Sequence, residues 1–294
     1  MIGLIGGTGL GEALFGEAHA QEHVIETPFG LPSSPIRVLD WNGVKVATLA
    51  RHGPGHVFNP SQVPYRANIY AMKSLGVTHI LASGAVGSLR EHIHPRNLVL
   101  IDQVIDKTFR RTPTFFDEGL AVHVEFAEPF CPELHSVVLK AAERVKTKVH
   151  PRGTYVCMEG PAFSTVAESN MHRAWGGDVI GMTCMPEAKL AREAEIAYAL
   201  VALATDYDCW KPHEPGVSKQ ALLEEIIGHL KAATTNAIEL LRAVIQMLAS
   251  EPLPKSSAHD ALELAIWSDR AMAMPAAIKK YGTLLARFRA NRPA

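Results

Sequence analysis

The chain has 294 residues, 47% of them hydrophobic, enough to bury a substantial core in one large domain or two smaller ones. Its formal net charge is -1, so no charge imbalance draws it to nucleic acid or to an anionic membrane. The four cysteines (Cys131, Cys157, Cys184, Cys209) form no C-x-x-C pair. That argues against a disulfide framework and a thiolate zinc site, and it predicts reduced thiols in a cytoplasmic protein. No basic segment precedes a long apolar core at the N-terminus, so no secretory signal is expected. No apolar run is long enough to span a bilayer.

Met1 to Ile5 reads as a short buried strand, followed at once by Gly6-Gly7-Thr8-Gly9-Leu10-Gly11. Such a loop can bring backbone N–H groups close to an anion, or it can be a tight turn. It lacks the third glycine of a dinucleotide fingerprint, with Glu12 in that place, and it lacks the Gly-Lys-Ser/Thr ending of a P-loop. Val44 to Leu49 is a second strand, ending in Ala50-Arg51-His52-Gly53-Pro54-Gly55-His56. A guanidinium beside an imidazole at a strand end suits a tetrahedral oxyanion. The Gly-Pro-Gly between the two histidines prevents the i, i+4 helical pairing of a zinc site.

Val63 to Leu75 has helical spacing with Gly76 as a stop. His79 to Ala82 is a third strand, predicted to open into a second small-residue loop, Ser83 to Ser88. Leu98 to Ile105 is another strand, and 108–129 shows no clear period. Cys131 to Lys146 reads as a helix with Pro132 in its first turn, and Gly153 to Met158 as a strand. Ser164 or Thr165 then caps a helix, with Glu168 completing a capping-box-like pattern. Asp178 to Gly181 is a short strand, followed by a helix reaching Glu195.

The run Ala197 to Trp210 begins apolar and then meets two carboxylates, Asp206 and Asp208. An apolar run without helical period reads as a strand buried on both faces. In open α/β sheets, ligands bind just beyond such strand ends. The two acids are therefore candidates for chemistry, or else turn residues that cap the next segment of chain. Ser218 to Leu248 is a long amphipathic helix with Ser218 as N-cap, and Ser250 to Ser257 is a Pro/Ser connector. Ala258 to Arg289 holds at least one further helix, interrupted around Pro275. Strands alternating with helices predict an α/β fold, with a mixed, largely parallel sheet flanked by helices and a helical C-terminal tail.

Six separated motifs now stand in order: Gly6-Gly7-Thr8-Gly9, Ala50-Arg51-His52-Gly53, Ala85-Val86-Gly87-Ser88, Glu159-Gly160-Pro161-Ala162-Phe163-Ser164, Met182-Thr183-Cys184-Met185-Pro186-Glu187 and Ala204-Thr205-Asp206-Tyr207-Asp208-Cys209-Trp210. Together they resemble the purine nucleoside phosphorylase family, in its methylthioadenosine-acting branch. The resemblance runs from about Ile5 to Trp210. It implies a nucleoside phosphorylase catalytic domain over 1–249, with 250–294 as a helical extension packed on or near it. It implies phosphorolysis of a purine nucleoside with no metal or organic cofactor, inorganic phosphate being a co-substrate. It also implies a homotrimer in which each site is completed by a neighbour.

On this resemblance Thr8, Arg51, His52, Gly84, Ala85 and Thr183 match the phosphate cradle, and Met182 the residue packed against the ribose. Asp206 matches the acid that bonds or protonates purine N7. Asp208 matches the acceptor for the exocyclic amino group, with Tyr207 between them in the substrate pocket. Phe163 and Ser164 match base-pocket positions, Leu222 the 5' pocket, and His123 a residue reaching into a neighbour's site. A carboxylate only accepts hydrogen bonds, so the acid pair favours adenine over 6-oxopurines. Three positions depart from the pattern. Gly84 stands where a hydroxyl residue is usual, Ala162 where an Arg is common, and Lys219 where an apolar residue helps shape the 5'-alkylthio pocket. The Lys219 stem is expected to line that pocket while its ammonium reaches water.

Overall fold

The computed structural model of the chain describes residues 1–7, 20–41, 43–212, 216–250, 252–269 and 272–286. Thr8 and the rest of the first glycine loop beyond Gly7 lie outside the described residues. The first half of the chain gives β1 (Ile2–Gly6), β2 (Gln21–His23), β3 (Ile36–Trp41), β4 (Val44–Ala50), α1 (Tyr65–Ser74), β5 (His79–Ser88), β6 (Leu98–Ile101) and β7 (Gln103–Lys107). Next come α2 (Pro132–Ala142), β8 (Val149–His150), β9 (Thr154–Met158), α3 (Val166–Ala174), β10 (Val179–Gly181), α4 (Glu187–Glu193) and β11 (Ala197–Tyr207). Two helices close the described chain, α5 (Lys219–Ser250) and α6 (Pro275–Tyr281).

The strands form one mixed sheet around β5. The first half of β5 pairs in parallel with β1, and its last two residues pair antiparallel with β10. Along its whole length β5 pairs in parallel with β11. The other antiparallel pairings are β2 with β3, β3 with β4, and β6 with β11. β11 is buried from Ala197 to Thr205, as a strand covered on both faces should be. On one side Ala233, Ala237, Leu240, Leu241, Val244 and Leu248 of α5 pack with Leu134 and Val138 of α2. On the other, Ile69 and Met72 of α1 and Leu190 of α4 pack in a second cluster. That second cluster also takes in Leu262, Tyr281, Leu284 and Leu285, so the C-terminal residues bury side chains in the same core as the sheet.

Local chemistry explains the helix starts. Thr165 accepts from the Glu168 N–H while Glu168 reaches back to the Thr165 N–H, a complete capping box for α3. Ser218 Oγ accepts from the Ala221 N–H at 3.1 Å ahead of α5. Cys131 Sγ accepts from the Leu134 N–H at 3.3 Å, and Pro132 opens α2.

Four expectations are corrected. Ser83 to Ser88 is the second half of β5, because β11 and β10 supply the ladder partners that β1 no longer offers. The single strand from Leu98 to Ile105 is two strands with different neighbours, broken where Asp102 Oδ1 accepts from the Gly153 N–H at 3.0 Å. α2 ends at Ala142, short of Lys146. Pro275 does not interrupt a helix but starts one, at the position where its missing N–H costs nothing. The exposed edge strand β2 and the hairpin partner β3 carry no strong alternation, and the chain pattern does not announce them.

The irregular stretch 108–129 is tied to α4 through Glu193. Thr114 Oγ1 donates to Glu193 Oε1 at 2.6 Å, and the Phe115 N–H to Oε2 at 2.7 Å. Burial pushes the Glu193 carboxyl up to about 7, against the pull of these bonds and of Lys189. Its folded pKa thus lies above the unfolded value. The folded state binds more protons between the two, and stability falls as pH rises through that window. Between about pH 4.5 and 7 this group's contribution declines by up to roughly 3 kcal/mol. Glu193→Gln is expected to flatten that part of a melting-temperature profile against pH; an unchanged slope would discount Glu193 as its source.

Candidate active site

β1, β4 and β5 end or open side by side. Gly6 pairs with Ala50 and Ile5 with Ala82, so Gly7, Arg51 and Ser83-Gly84 emerge together. Gly7, Arg51 and Gly84 border a cavity of about 510 Å³, which also takes Ala85, Gly87, Met158, Phe163, Ser164, Ile180, Met182 and Thr183. From β11 it takes Thr205, Asp206 and Tyr207, from the turn just beyond it Asp208 and Cys209, and from α5 Ile226 and Leu230. Strict alternation would turn only every second residue of β11 inward. A bulge lies between Ala204 and Asp206, and from Thr205 on consecutive residues reach the cavity.

One end is built to hold an anion. Arg51 is fully buried, and its Nε and Nη2 donate to the two carboxylate oxygens of Glu187 at 2.7 and 2.8 Å. Nη1 donates to the Ser83 carbonyl at 2.7 Å. Guanidinium has five N–H donors, so two remain for a ligand. Burial alone would lower the Arg51 pKa; Glu187 more than offsets this and holds it above the ordinary value. The glycines keep side chains away from the buried guanidinium, since a Cβ on Gly7 would lie 3.0 Å from Nη1. A Cβ on Gly84 would lie 3.2 Å from Thr183 Oγ1, so the Thr183 hydroxyl occupies the space beside the missing side chain.

His52 differs in kind. Its Nδ1 donates to the Phe58 carbonyl at 2.8 Å, which leaves Nε2 with a lone pair. Burial, then the Arg51 charge, push its pKa down to about 4. At neutral pH it therefore accepts a hydrogen bond rather than offering a charge, and suits a protonated oxyanion oxygen or a sugar hydroxyl.

The other end is acidic, between apolar walls. Thr205 Oγ1 donates to Asp206 Oδ1 at 2.6 Å. Asp208 is buried, and its Oδ2 has no hydrogen-bond partner. Met158, Ile180 and Met182 give the apolar walls, with Phe163, 85% exposed, at the mouth. Gly160 has a φ of 70° and sits against Met182, where a Cβ would come 2.5 Å from the sulfur.

A buried arginine fixes the loop that carries Met182 and Thr183. Arg111 Nη1 donates to the Met182 and Met185 carbonyls, both at 2.6 Å, and Nη2 to the Glu159 carbonyl at 2.7 Å. Glu159 accepts from Arg111 Nε at 3.2 Å and from the Phe109 N–H at 2.8 Å. Burial works against the Glu159 charge, but these bonds and one from Ser61 hold its carboxyl down at about 2.

With this geometry in place, the likeness to known proteins is specific. The family model described as Phosphorylase superfamily matches residues 1–246. An S-methyl-5'-thioadenosine phosphorylase from Synechocystis sp. is 47% identical, over 98% of this chain and 87% of that protein. A methylthioadenosine phosphorylase from an antarctic soil metagenomic library has a solved structure that superposes with a TM-score of 0.89 at 45% identity, covering 97% of this chain and 98% of the other. The chain belongs to the methylthioadenosine phosphorylase family of the phosphorylase superfamily. A double mutant of adenosine/methylthioadenosine phosphorylase from Schistosoma mansoni, solved with adenine, superposes at a TM-score of 0.84 and 32% identity, over 91% of this chain and 99% of the other.

Arg51, His52, Gly84, Ala85, Thr183, Phe163, Ser164, Met182, Asp206, Tyr207 and Asp208, all picked out by family resemblance, converge on one cavity. Lys219 and Leu222 do not line it. Lys219 is exposed at the start of α5, and the face of that helix turned to the cavity begins farther on, at Ile226 and Leu230. His123 is exposed, its ring 4.8 Å from that of Trp267, and it borders no part of this chain's own cavity. Glu187, Arg111, Glu159, Ile226 and Leu230 carry no site role in the sequence reading. The signals are that Glu187 closes the Met-Thr-Cys-Met-Pro-Glu motif and Glu159 opens the Glu-Gly-Pro-Ala-Phe-Ser motif.

Proposed function

We propose that the chain catalyses phosphorolysis of 5'-methylthioadenosine to adenine and 5-methylthioribose 1-phosphate. The carrying observation is the single cavity with two unlike ends, a buried guanidinium beside Gly84 and Thr183, and an acid pair at Asp206 and Asp208. Phosphate lies at the first end, held by the two spare Arg51 donors and Thr183, with His52 accepting from a phosphate hydroxyl or the ribose. Thr8 belongs to this cradle by its place in the motif. A phosphate oxygen attacks the anomeric carbon as the bond from that carbon to purine N9 breaks. The electron pair of that bond goes to the purine, and protonated Asp206 delivers its proton to N7. Asp208 accepts from the 6-amino group, and Met182 packs on the ribose.

The reaction uses phosphate as co-substrate and no organic cofactor. His123 acts in a neighbour's site within a homotrimer, and the enzyme works in the cytoplasm in purine and methionine salvage. Ile226 and Leu230 give the 5' group an apolar wall, which favours methylthio over hydroxyl. A buried carboxylate facing a 6-oxo group leaves two acceptors opposed.

The test is base release with and without phosphate from methylthioadenosine, adenosine, inosine and methylthioinosine. Strictly phosphate-dependent release, fastest from methylthioadenosine, is the expected result. Turnover confined to the two 6-oxo substrates would overturn the reading.

A further inference from the structure

Behind the purine-reading end lies a set of buried polar groups that the proposed reaction does not use. His172 and Ser169 are the buried residues of α3, one turn apart on the face that meets the sheet. Lys107, the last residue of β7, places its Nζ 2.9 Å from His172 Nε2. A lysine ammonium has no lone pair, so Nε2 accepts and the ring proton sits on Nδ1. His172 Nδ1 is buried and has no partner. Asp208 Oδ2 is likewise buried without a partner, and Ser169 Oγ has none beyond the neighbouring Cys209 thiol.

A donor and an acceptor, each sealed and unmatched, are complementary. The two side chains already interact electrostatically. The elements that bear them are in contact, with the Arg173 guanidinium stacked 3.7 Å over the Trp210 ring, just past Asp208. Asp208 Oδ2 has almost no accessible surface, so a ligand filling the cavity cannot touch it without moving the protein. Its partner must come from inside. An orphaned buried carboxylate oxygen is destabilising, because it loses its water without gaining a donor.

We propose that His172 is a positioning residue for Asp208: its Nδ1–H bonds Asp208 Oδ2 through one buried water shared with Ser169 Oγ, with Lys107 fixing the tautomer. The bond keeps Oδ1 as the oxygen offered to the cavity, which sets preference for a 6-amino over a 6-oxo purine. This rests on the assignment of Asp208 to the base edge. Besides Lys107 and Asp208, the charged group interacting with His172 is Glu168 of its own helix.

The test pairs His172→Phe, which fills the space without a donor, with His172→Asn, whose amide nitrogen falls near the Nδ1 position. His172→Phe is expected to lower kcat/KM for methylthioadenosine about ten-fold or more, through KM, as loss of a hydrogen bond to a charged group predicts. Methylthioinosine turnover should stay unchanged, and His172→Asn should recover most of the loss. On an Asp208→Ala background, the same Phe change should cost less than about three-fold, because coupled residues are not additive. Equal losses on both substrates, or full additivity with Asp208→Ala, would overturn the proposal. A second readout does not depend on activity. Nitrogen-edited spectra of the His172 ring should show Nδ1–H with a bare Nε2, and the Nδ1 proton should move when Asp208 becomes Ala. A ring protonated at Nε2, or one indifferent to Asp208, would overturn the proposal even if no nucleoside is turned over. Absence of turnover with the expected spectrum would instead sink the assigned reaction alone.

Discussion

Replacing Asp206 by alanine is expected to lower kcat on methylthioadenosine by about 10²- to 10⁴-fold, the range for losing a positioned general acid. Breaking the glycosidic bond leaves negative charge on the purine, and the proton that neutralises it has to arrive at N7 as the bond lengthens. Asp206 is the cavity carboxylate that accepts from the Thr205 hydroxyl at 2.6 Å, a bond that fixes its orientation. Only the half-buried tip of β11 is altered, so circular dichroism and melting temperature should match the parent chain. Asparagine in its place can still donate to N7 but cannot give up a proton. Its kcat should fall between the two, with a shift of preference towards 6-oxo substrates. Near-normal turnover of the alanine variant would remove Asp206 from the mechanism.

Glu187→Ala should destabilise the protein by about 3–5 kcal/mol, the cost of leaving one member of a buried ion pair alone. Arg51 and Glu187 are both fully buried and bonded through two parallel contacts. The Tyr198 hydroxyl also donates to Glu187 Oε1 at 2.8 Å, so alanine strands that group as well. The loss should shrink in high phosphate. An anion seated on the unpaired guanidinium replaces the missing charge, and a ligand that binds only the folded state stabilises it by mass action. Melting curves of parent, Glu187→Ala and Glu187→Gln, with and without phosphate, give the answer. A melting temperature unmoved by alanine would show that the pair contributes nothing. A phosphate effect no larger than in the parent would show that Arg51 does not face the anion.

Much of the scaffold is legible in the sequence because local signals agree with the tertiary structure. The capping box at Thr165 and the apolar run into Asp206 are read from neighbouring residues alone. The second half of β5 reads as a loop because small residues suit turns, and only long-range ladder partners keep Gly84 and Gly87 extended. Pairing of Arg51 with Glu187 spans 136 residues in sequence, and no local pattern encodes it. Arg111 is a similar case. It sits in a stretch without period, and its role comes from three carbonyls that the fold delivers to it. Ile226 and Leu230 are hidden for another reason: amphipathicity gives a helix face, not the point along the axis where that face meets a cavity.

In the proposed reaction, β5 carries the phosphate end at Gly84 and meets the base end at Gly87 and Ser88, where Asp206 and Tyr207 are paired. An extended strand is a ruler with a fixed graduation of about 3.3 Å per residue. The span from the anion end to the acidic end of the cavity is therefore written in covalent geometry, at about 10 Å of backbone over three residues. Base preference can drift through the acids on β11 while that spacing stays constant. A one-residue insertion between Gly84 and Gly87 would change the spacing itself, and with it every substrate at once.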